Sequence, residues 1–369
     1  MKHFCLITVL FFIIFTQCSK ETACTCGDTH CFSCACTHSL LADLPDAEEY
    51  DVITVDFEEE DLSVFIPDPD VDLPVTEFRE IWGYVVRGQE AALIRGLPIT
   101  DVAYFGAEVN MYGKLSNVPA RRNLSAFPGR VHLAVTCPSN ALTYFTLMPG
   151  SQHRAELIDD LIAAVANYDG LNIDFENIPQ RSAEAFLSFL RELRDRLPYE
   201  KIFSIALYGR TRAAAGDVYD YATIAPIVDR IFVMAYDEHW SGGSPGPVSS
   251  IRWCRSVAEY SLRAAGGEKI IMGIPFYGRA WADQNHSRAL TYSTTERLLN
   301  TMEHVNIRRE NGTPAFNYNV NILVRVYYED EYSISARLVM YKSMGVKAVG
   351  FWRVGQETPR VWSTLRISE

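Results

Sequence analysis

A rhythm in the sequence restricts the fold more than any single residue does. From about Ile81 onward, short apolar runs rich in β-branched and aromatic residues alternate with longer amphipathic stretches, eight times over. The runs span Ile81–Val86, Asp101–Val109, Val131–Thr136, Leu171–Glu176, Ile202–Leu207, Arg230–Tyr236, Ile270–Phe276 and Ala348–Trp352. Between them, stretches such as HRAELIDDLIAAVANY, SAEAFLSFLRELRDRL, SSIRWCRSVAEYSLRAA and SISARLVMYKSMG space their apolar residues at helical intervals. The runs are mostly apolar on both sides, which fits strands covered on both faces, as in a parallel sheet with helical crossovers. Eight such units predict a closed α/β barrel, the (β/α)8 TIM barrel, over an open doubly wound sheet, and no G-x-G-x-x-G turn argues for a dinucleotide fold. Residues 279–330 exceed one helix and carry strand-like pieces of their own, PAFNYN and LVRVYYED, so they are read as a small α+β insertion before the eighth strand.

A chain of 369 residues with 48% hydrophobic content has ample material for a core without metal or disulfide staples. Its net charge of -12, with no basic run, argues against a nucleic-acid partner. The first 18 residues combine a basic end (Lys2, His3), an apolar run from Phe4 to Phe15 and Cys18. That run suits an export signal and is short for a membrane span, which needs roughly 20 apolar residues. Cys18 resembles the lipidated cysteine of bacterial lipoproteins, although Gln17 replaces the small residue usual before it; a lipid anchor and simple cleavage are the two alternatives. Residues 19–78 read as a linker, first Cys-rich (Cys24, Cys26, Cys31, Cys34, Cys36) and then acidic and proline-bearing. The cysteine spacings match no zinc pattern well, and no metal is expected. The barrel domain is placed at 79–369, with Cys137 and Cys254 as its cysteines.

Within the fourth run, YDGLNIDFENIPQ sets Asn172, Asp174 and Glu176 at alternate positions between Leu171, Ile173 and Phe175. An extended chain turns alternate side chains to opposite faces, so three polar groups share one face. Carboxylates crowded on a semi-buried face repel one another and lose hydration, an arrangement that is costly unless used. A barrel of this kind builds its active site at the C-terminal ends of its strands. The polar strand ends NIDFEN, MAYDEHW, FYGRAW and GFWRVG, on the fourth, sixth, seventh and eighth runs, are therefore expected to converge.

The run DGLNIDFE closely resembles the D-G-x-D-x-D-x-E signature of glycoside hydrolase family 18, the chitinase-like enzymes, and MAYD resembles the family's M-x-Y-D segment on the sixth strand. Within the family, DGLNIDFENIP together with MAYDEHWSGGSPGPVSSIRW looks most like the bacterial branch of spore-cortex and peptidoglycan hydrolases. The resemblance spans roughly Ile81 to Trp362 and implies an enzyme cutting β-1,4 bonds next to N-acetylglucosamine with retention, which the N-terminal run would export. It implies Glu176 as general acid/base, Asp174 as the carboxylate that holds the substrate's acetamido N–H, and Tyr236 as the hydroxyl on the acetamido oxygen. Asp237 would contact the sugar and Trp352 would lie under it, with Tyr277 and Trp281 as candidates for further subsites. Asn172, read as a further substrate-side residue, stands where the family usually has aspartate; the branch compared also carries asparagine there.

An acetamido sugar carries its own nucleophile, the amide oxygen, so the protein needs only one acid and one orienting carboxylate. Asp237, Glu238 and His239 are consecutive, point different ways, and read as loop residues rather than metal ligands. Asp169 is expected to cap the strand entry, and Gly170 to allow close backbone packing. The expected partner is an N-acetylglucosamine-containing glycan, with no cofactor, and the chain is expected to be monomeric. A chitinase-like lectin is the main rival, with a non-hydrolytic surface lipoprotein as a third reading; the presence of Glu176 favours catalysis.

Overall fold

A computed structural model describes residues 61–68, 71–283, 286–302, 305–319 and 322–368. The stretch read as an export signal, Cys18 and the cysteine cluster lie outside the described residues.

Eight parallel strands close on themselves. They are β1 (Glu80–Val86), β2 (Asp101–Val109), β3 (Arg130–Thr136), β4 (Gly170–Asp174), β5 (Ile202–Tyr208), β6 (Arg230–Met234), β7 (Ile270–Pro275) and β8 (Ala348–Trp352). Each pairs with its sequence neighbour, and β8 pairs with β1 to complete the ring. Two of the expected strands end two residues early. β4 stops at Asp174 rather than Glu176, because the next backbone groups bond to a side chain instead of a ladder: Tyr219 Oη donates to Phe175 O at 3.0 Å and accepts from Ile178 N–H at 2.9 Å. β6 stops at Met234, two residues short of Tyr236.

The barrel separates two apolar regions. Outward-facing Leu171, Ile173 and Phe175 join the large cluster between strands and helices. Inside, Trp82, Tyr84 and Phe232 interleave with Ala103, Ala134, Ala206 and Ala348, the alternation of large and small that fills a narrow barrel. Gly273 and Gly350 make room for the Phe232 ring, since a Cβ at either would stand 2.7 or 2.3 Å from it. Burying such a ring fully contributes about 1.5–3 kcal/mol.

The helices are unevenly distributed. α1 (Asn140–Leu147) and α2 (Gln152–Val165) follow β3, α3 (Ala183–Arg196) follows β4, the short α4 (Tyr221–Ile224) follows β5, and α5 (Ile251–Ala265) follows β6. In the crossovers after β1 and β2 the only helical segments among the described residues are the 3-10 turns Glu90–Ala92 and Arg121–Leu124. Between β7 and β8 the chain builds a five-stranded antiparallel sheet from Tyr277–Asp283, His286–Thr291, Arg308–Glu310, Thr313–Asn319 and Leu323–Tyr327, with α6 (Tyr292–Thr301) against it, before α7 (Glu331–Ser343) returns to the barrel. This is the expected α+β insertion, beginning at Tyr277.

The linker reading needs correction at its end. Leu62 is buried in the core, and Thr76–Phe78 forms a parallel strand with Leu365–Ile367, with Phe78 only 1% exposed. Apolar anchors at Leu62 and Phe78, and a partner strand at the far end of the chain, outweigh the acidic, proline-rich composition around them.

Candidate active site

The C-terminal ends of the strands enclose a cavity of about 280 Å³ lined by Tyr84, Phe105, Asp174, Glu176, Ala206, Tyr208, Met234, Tyr236, Asp237, Tyr277 and Trp352. Residues from seven of the eight strand ends thus meet in one place. Trp352 forms an aromatic corner with Tyr84 (centroids 5.2 Å apart) and Phe105 (5.1 Å, edge to face). An aromatic face of this kind suits stacking against a flat apolar surface.

Asp174 closes β4 on the inner face, 5% exposed, and its Oδ1 is buried without a hydrogen-bond partner. Burial first, and then the negative charge of Glu176, push its carboxyl up to about 7. Two residues on, past the end of the strand, Glu176 is half-buried and its Oε2 accepts from the Tyr208 hydroxyl at 2.8 Å. The backbone then turns sharply, with Asn177 at φ 56°. Tyr208 also accepts from the Asn177 N–H at 3.3 Å, so one phenol fixes both Glu176 and the bend behind it. An equivalent turn follows β6, where Asp237 has φ 58°. Non-glycine residues seldom occupy this region, and two such turns beside one cavity fit strain retained at a working site.

On the opposite wall, Tyr236 meets Tyr277 edge to face at 6.2 Å. Tyr277 donates to Asp237 Oδ1 at 2.6 Å, and Arg279 stands 3.7 Å from the same oxygen. Burial raises both phenols well above their ordinary range, which keeps them as neutral hydrogen-bonding groups at any working pH.

Two sequence candidates lie elsewhere. Asn172 is wholly buried beneath the cavity, accepting from the Tyr84 hydroxyl at 2.8 Å and donating to Ser204 Oγ at 2.9 Å. It braces the floor and does not reach the cavity wall. Trp281 shares a strand with Tyr277 but is fully buried against Ala315 and Tyr327 inside the insertion. The triple at residues 237–239 is dispersed as expected: Glu238 binds the Ser250 N–H (2.8 Å) at the start of α5, and His239 Nδ1 faces Ser244 O at 2.9 Å. No cluster able to hold a metal occurs among the described residues. Asp169 does hold a strand entry, its Oδ2 accepting from Val131 N–H at 2.8 Å, and a Cβ on Gly170 would meet His132 Nδ1 at 2.3 Å.

Sequence reasoning missed Tyr84, Phe105, Tyr208 and Met234. A signal for them existed, because each is an inward-facing position near the C-terminal end of its strand.

With this geometry in place, the comparisons with known proteins are specific. The profile described as glycosyl hydrolases family 18 matches residues 99–357, and the chain belongs to that family. It is 29% identical over 234 residues to a cortical fragment-lytic enzyme of Bacillus subtilis, a match covering 58% of this chain and 53% of that protein. The chain thus spans about half the length of the curated relatives it matches. The spore cortex-lytic enzyme SleL of Bacillus cereus shares the fold with a TM-score of 0.71 at 23% identity, over 81% of this chain and 76% of that one. A class V chitinase from Nicotiana tobaccum, solved in complex with NAG4, aligns with a TM-score of 0.65 at 16% identity, over 77% of this chain and 96% of that one.

Proposed function

We propose that this chain is an exported glycoside hydrolase that cuts β-1,4 linkages next to N-acetylglucosamine, in peptidoglycan or chitin-type glycans, by a retaining and substrate-assisted route. The observation that carries the reading is the buried, unpartnered Oδ1 of Asp174 beside Glu176 in a cavity walled by aromatic rings. A buried acceptor left empty costs stability, and an acetamido N–H would fill it. Family membership, the cortex-lytic relative and the chitinase solved with NAG4 point to the same class of sugar.

The chemistry follows from these groups. The sugar stacks on Trp352, its acetamido N–H donates to Asp174 and the Tyr236 hydroxyl donates to the acetamido oxygen. That oxygen attacks the anomeric carbon as the glycosidic C–O bond breaks, and Glu176 delivers a proton to the leaving oxygen. The resulting oxazolinium is cationic. Ionised Asp174 is costly in the free, desolvated site but is offset when positive charge develops beside it, so this interaction is strongest in the transition state. Water then attacks the anomeric carbon, Glu176 takes its proton, and the acetamide is restored with configuration retained. Tyr208 holds one oxygen of Glu176 and leaves the other for this transfer.

Export is assigned to the N-terminal apolar run, with the mature chain either anchored through Cys18 or released; detergent phase partition of cell fractions separates the two. The activity is tested by incubating purified peptidoglycan and chitin oligosaccharides with wild type and Glu176→Gln, with mass analysis of products. Cleavage that vanishes in the variant supports the reading, and the new reducing end names the bond. Binding without release from either substrate would replace it with a glycan-binding role.

A further inference from the structure

On the rim where β8 meets β1, a guanidinium stands without an acid. Arg353 follows Trp352 directly, and the next residue, Val354, donates its N–H to Tyr84 O at 3.1 Å. Arg353 therefore sits between Trp352, which lines the cavity, and Val354, which is tied to the cavity residue Tyr84; it is half-buried, and its guanidinium donates to the amide oxygen of Gln89. No carboxylate among the described residues lies within ion-pair reach of it, and burial depresses its pKa without an acid to oppose the effect.

Other partly buried arginines are paired with acids. Arg130, Arg210 and Arg230, also partly buried, pair with Asp101 (2.6 Å), Asp217 (2.7 Å) and Glu80 (2.6 Å). Across the cavity, Arg279 is balanced by Asp237. In a chain of 46 acidic and 34 basic residues, a half-buried cation with no acidic partner is not explained by a shortage of partners. Desolvating a guanidinium this way is costly unless an anion arrives to offset it, and its planar fork matches a carboxylate.

We infer that Arg353 is a subsite for a carboxylate carried by the sugar next to N-acetylglucosamine, such as the lactyl ether carboxylate of an N-acetylmuramic acid unit. Arg353 follows by one residue, at the open end of the barrel, the ring proposed to seat the reacting sugar, so the acidic unit assigned to it is the neighbour of that sugar and not the sugar itself. This rests on the hydrolase reading above and narrows it: glycans whose alternate sugars are acidic are preferred over uniformly neutral ones.

Three probes of equal length test the inference: an alternating N-acetylmuramic acid and N-acetylglucosamine tetrasaccharide with free carboxylates, its methyl ester, and chitotetraose. The expected result is that Arg353→Gln lowers the ratio of kcat/KM for the free acid over the methyl ester by about 10- to 100-fold, the scale of a charge-assisted hydrogen bond. Arg353→Lys should fall in between. A general loss of folding moves all three substrates together and leaves the ratio intact. A ratio within twofold of wild type in both variants would overturn the inference. Kd values in a Glu176→Gln background supply an arm that needs no turnover: Arg353→Gln should weaken the free acid and not the ester. If that holds while the wild type cleaves none of the probes, the hydrolase reading fails and the carboxylate subsite stands. If all are cleaved with no preference for the acid, the reverse is true.

Discussion

Two aspartates inside one barrel show what decides a carboxylate's state. Asp101, at the entry of β2, is wholly buried, as Asp174 nearly is at the exit of β4. Burial pushes Asp101 up too, but hydrogen bonds from His132 Nε2 (2.8 Å) and Arg130 (2.6 and 2.8 Å) outweigh it and hold the carboxyl at about 2. Asp174 has no such cation; burial and Glu176 act in the same direction and bring it to about 7. The N-terminal end of the barrel satisfies its charges, with Glu80 and Arg230 adding a second pair, while the C-terminal end leaves an acceptor open. Depth is similar at both ends, so the partners make the difference between scaffold and site.

The largest way to break the working end is Glu176→Gln, expected to lower kcat/KM on a cleavable oligosaccharide by about 10²–10⁴-fold, the span assigned to a positioned acid. At the other end, Asp101→Asn should cost about 2–4 kcal/mol in urea unfolding with little effect on KM. It strands His132 and a half-exposed Arg130, so the loss is smaller than for a fully buried pair. Asp174→Asn sharpens the contrast, because it should abolish most activity while stabilising the fold at pH 8 by about 1–3 kcal/mol. The sign follows from linkage: with a folded pKa raised to about 7, Asp174 favours folding below the unfolded value of 3.8, and that contribution is lost as pH rises to 7. Thermal melts at pH 4 should therefore show the gain shrinking toward zero. Asn172→Asp would place a second acid under Asp174 and is expected to cost about 1–2 kcal/mol at pH 8 and less at pH 4 by urea titration. The smallest effect belongs to Tyr208→Phe, which removes one hydrogen bond from Glu176 and should slow turnover about five- to tenfold.

Much of this architecture is legible in the sequence. Every expected strand is present, because a strand covered on both faces writes itself as a continuous apolar run. The carboxylate pair is legible from parity alone. What escapes depends on contacts between distant segments. The early end of β4 is set by Tyr219, and the burial of Leu62 and the Thr76–Phe78 strand by packing and pairing that local composition cannot report. Trp281 carries the right strand parity, but parity does not say how much protein lies above a face, and Tyr327 covers it. Asn172 shares the expected face of β4 with Asp174 but sits one layer deeper, since the inward positions of a barrel strand run from core to cavity without a change of pattern.

The pairing of Thr76–Phe78 with Leu365–Ile367 has a mechanical side. Tension entering along the leading segment meets a clasp to the trailing end before it meets β1. The load is shared by parallel hydrogen bonds pulled in shear, together with Phe78 seated in the core, so the ring of strands is spared from being peeled open one strand at a time. A pull on the leading segment would strain the barrel there first, and there it is fastened to Leu365–Ile367.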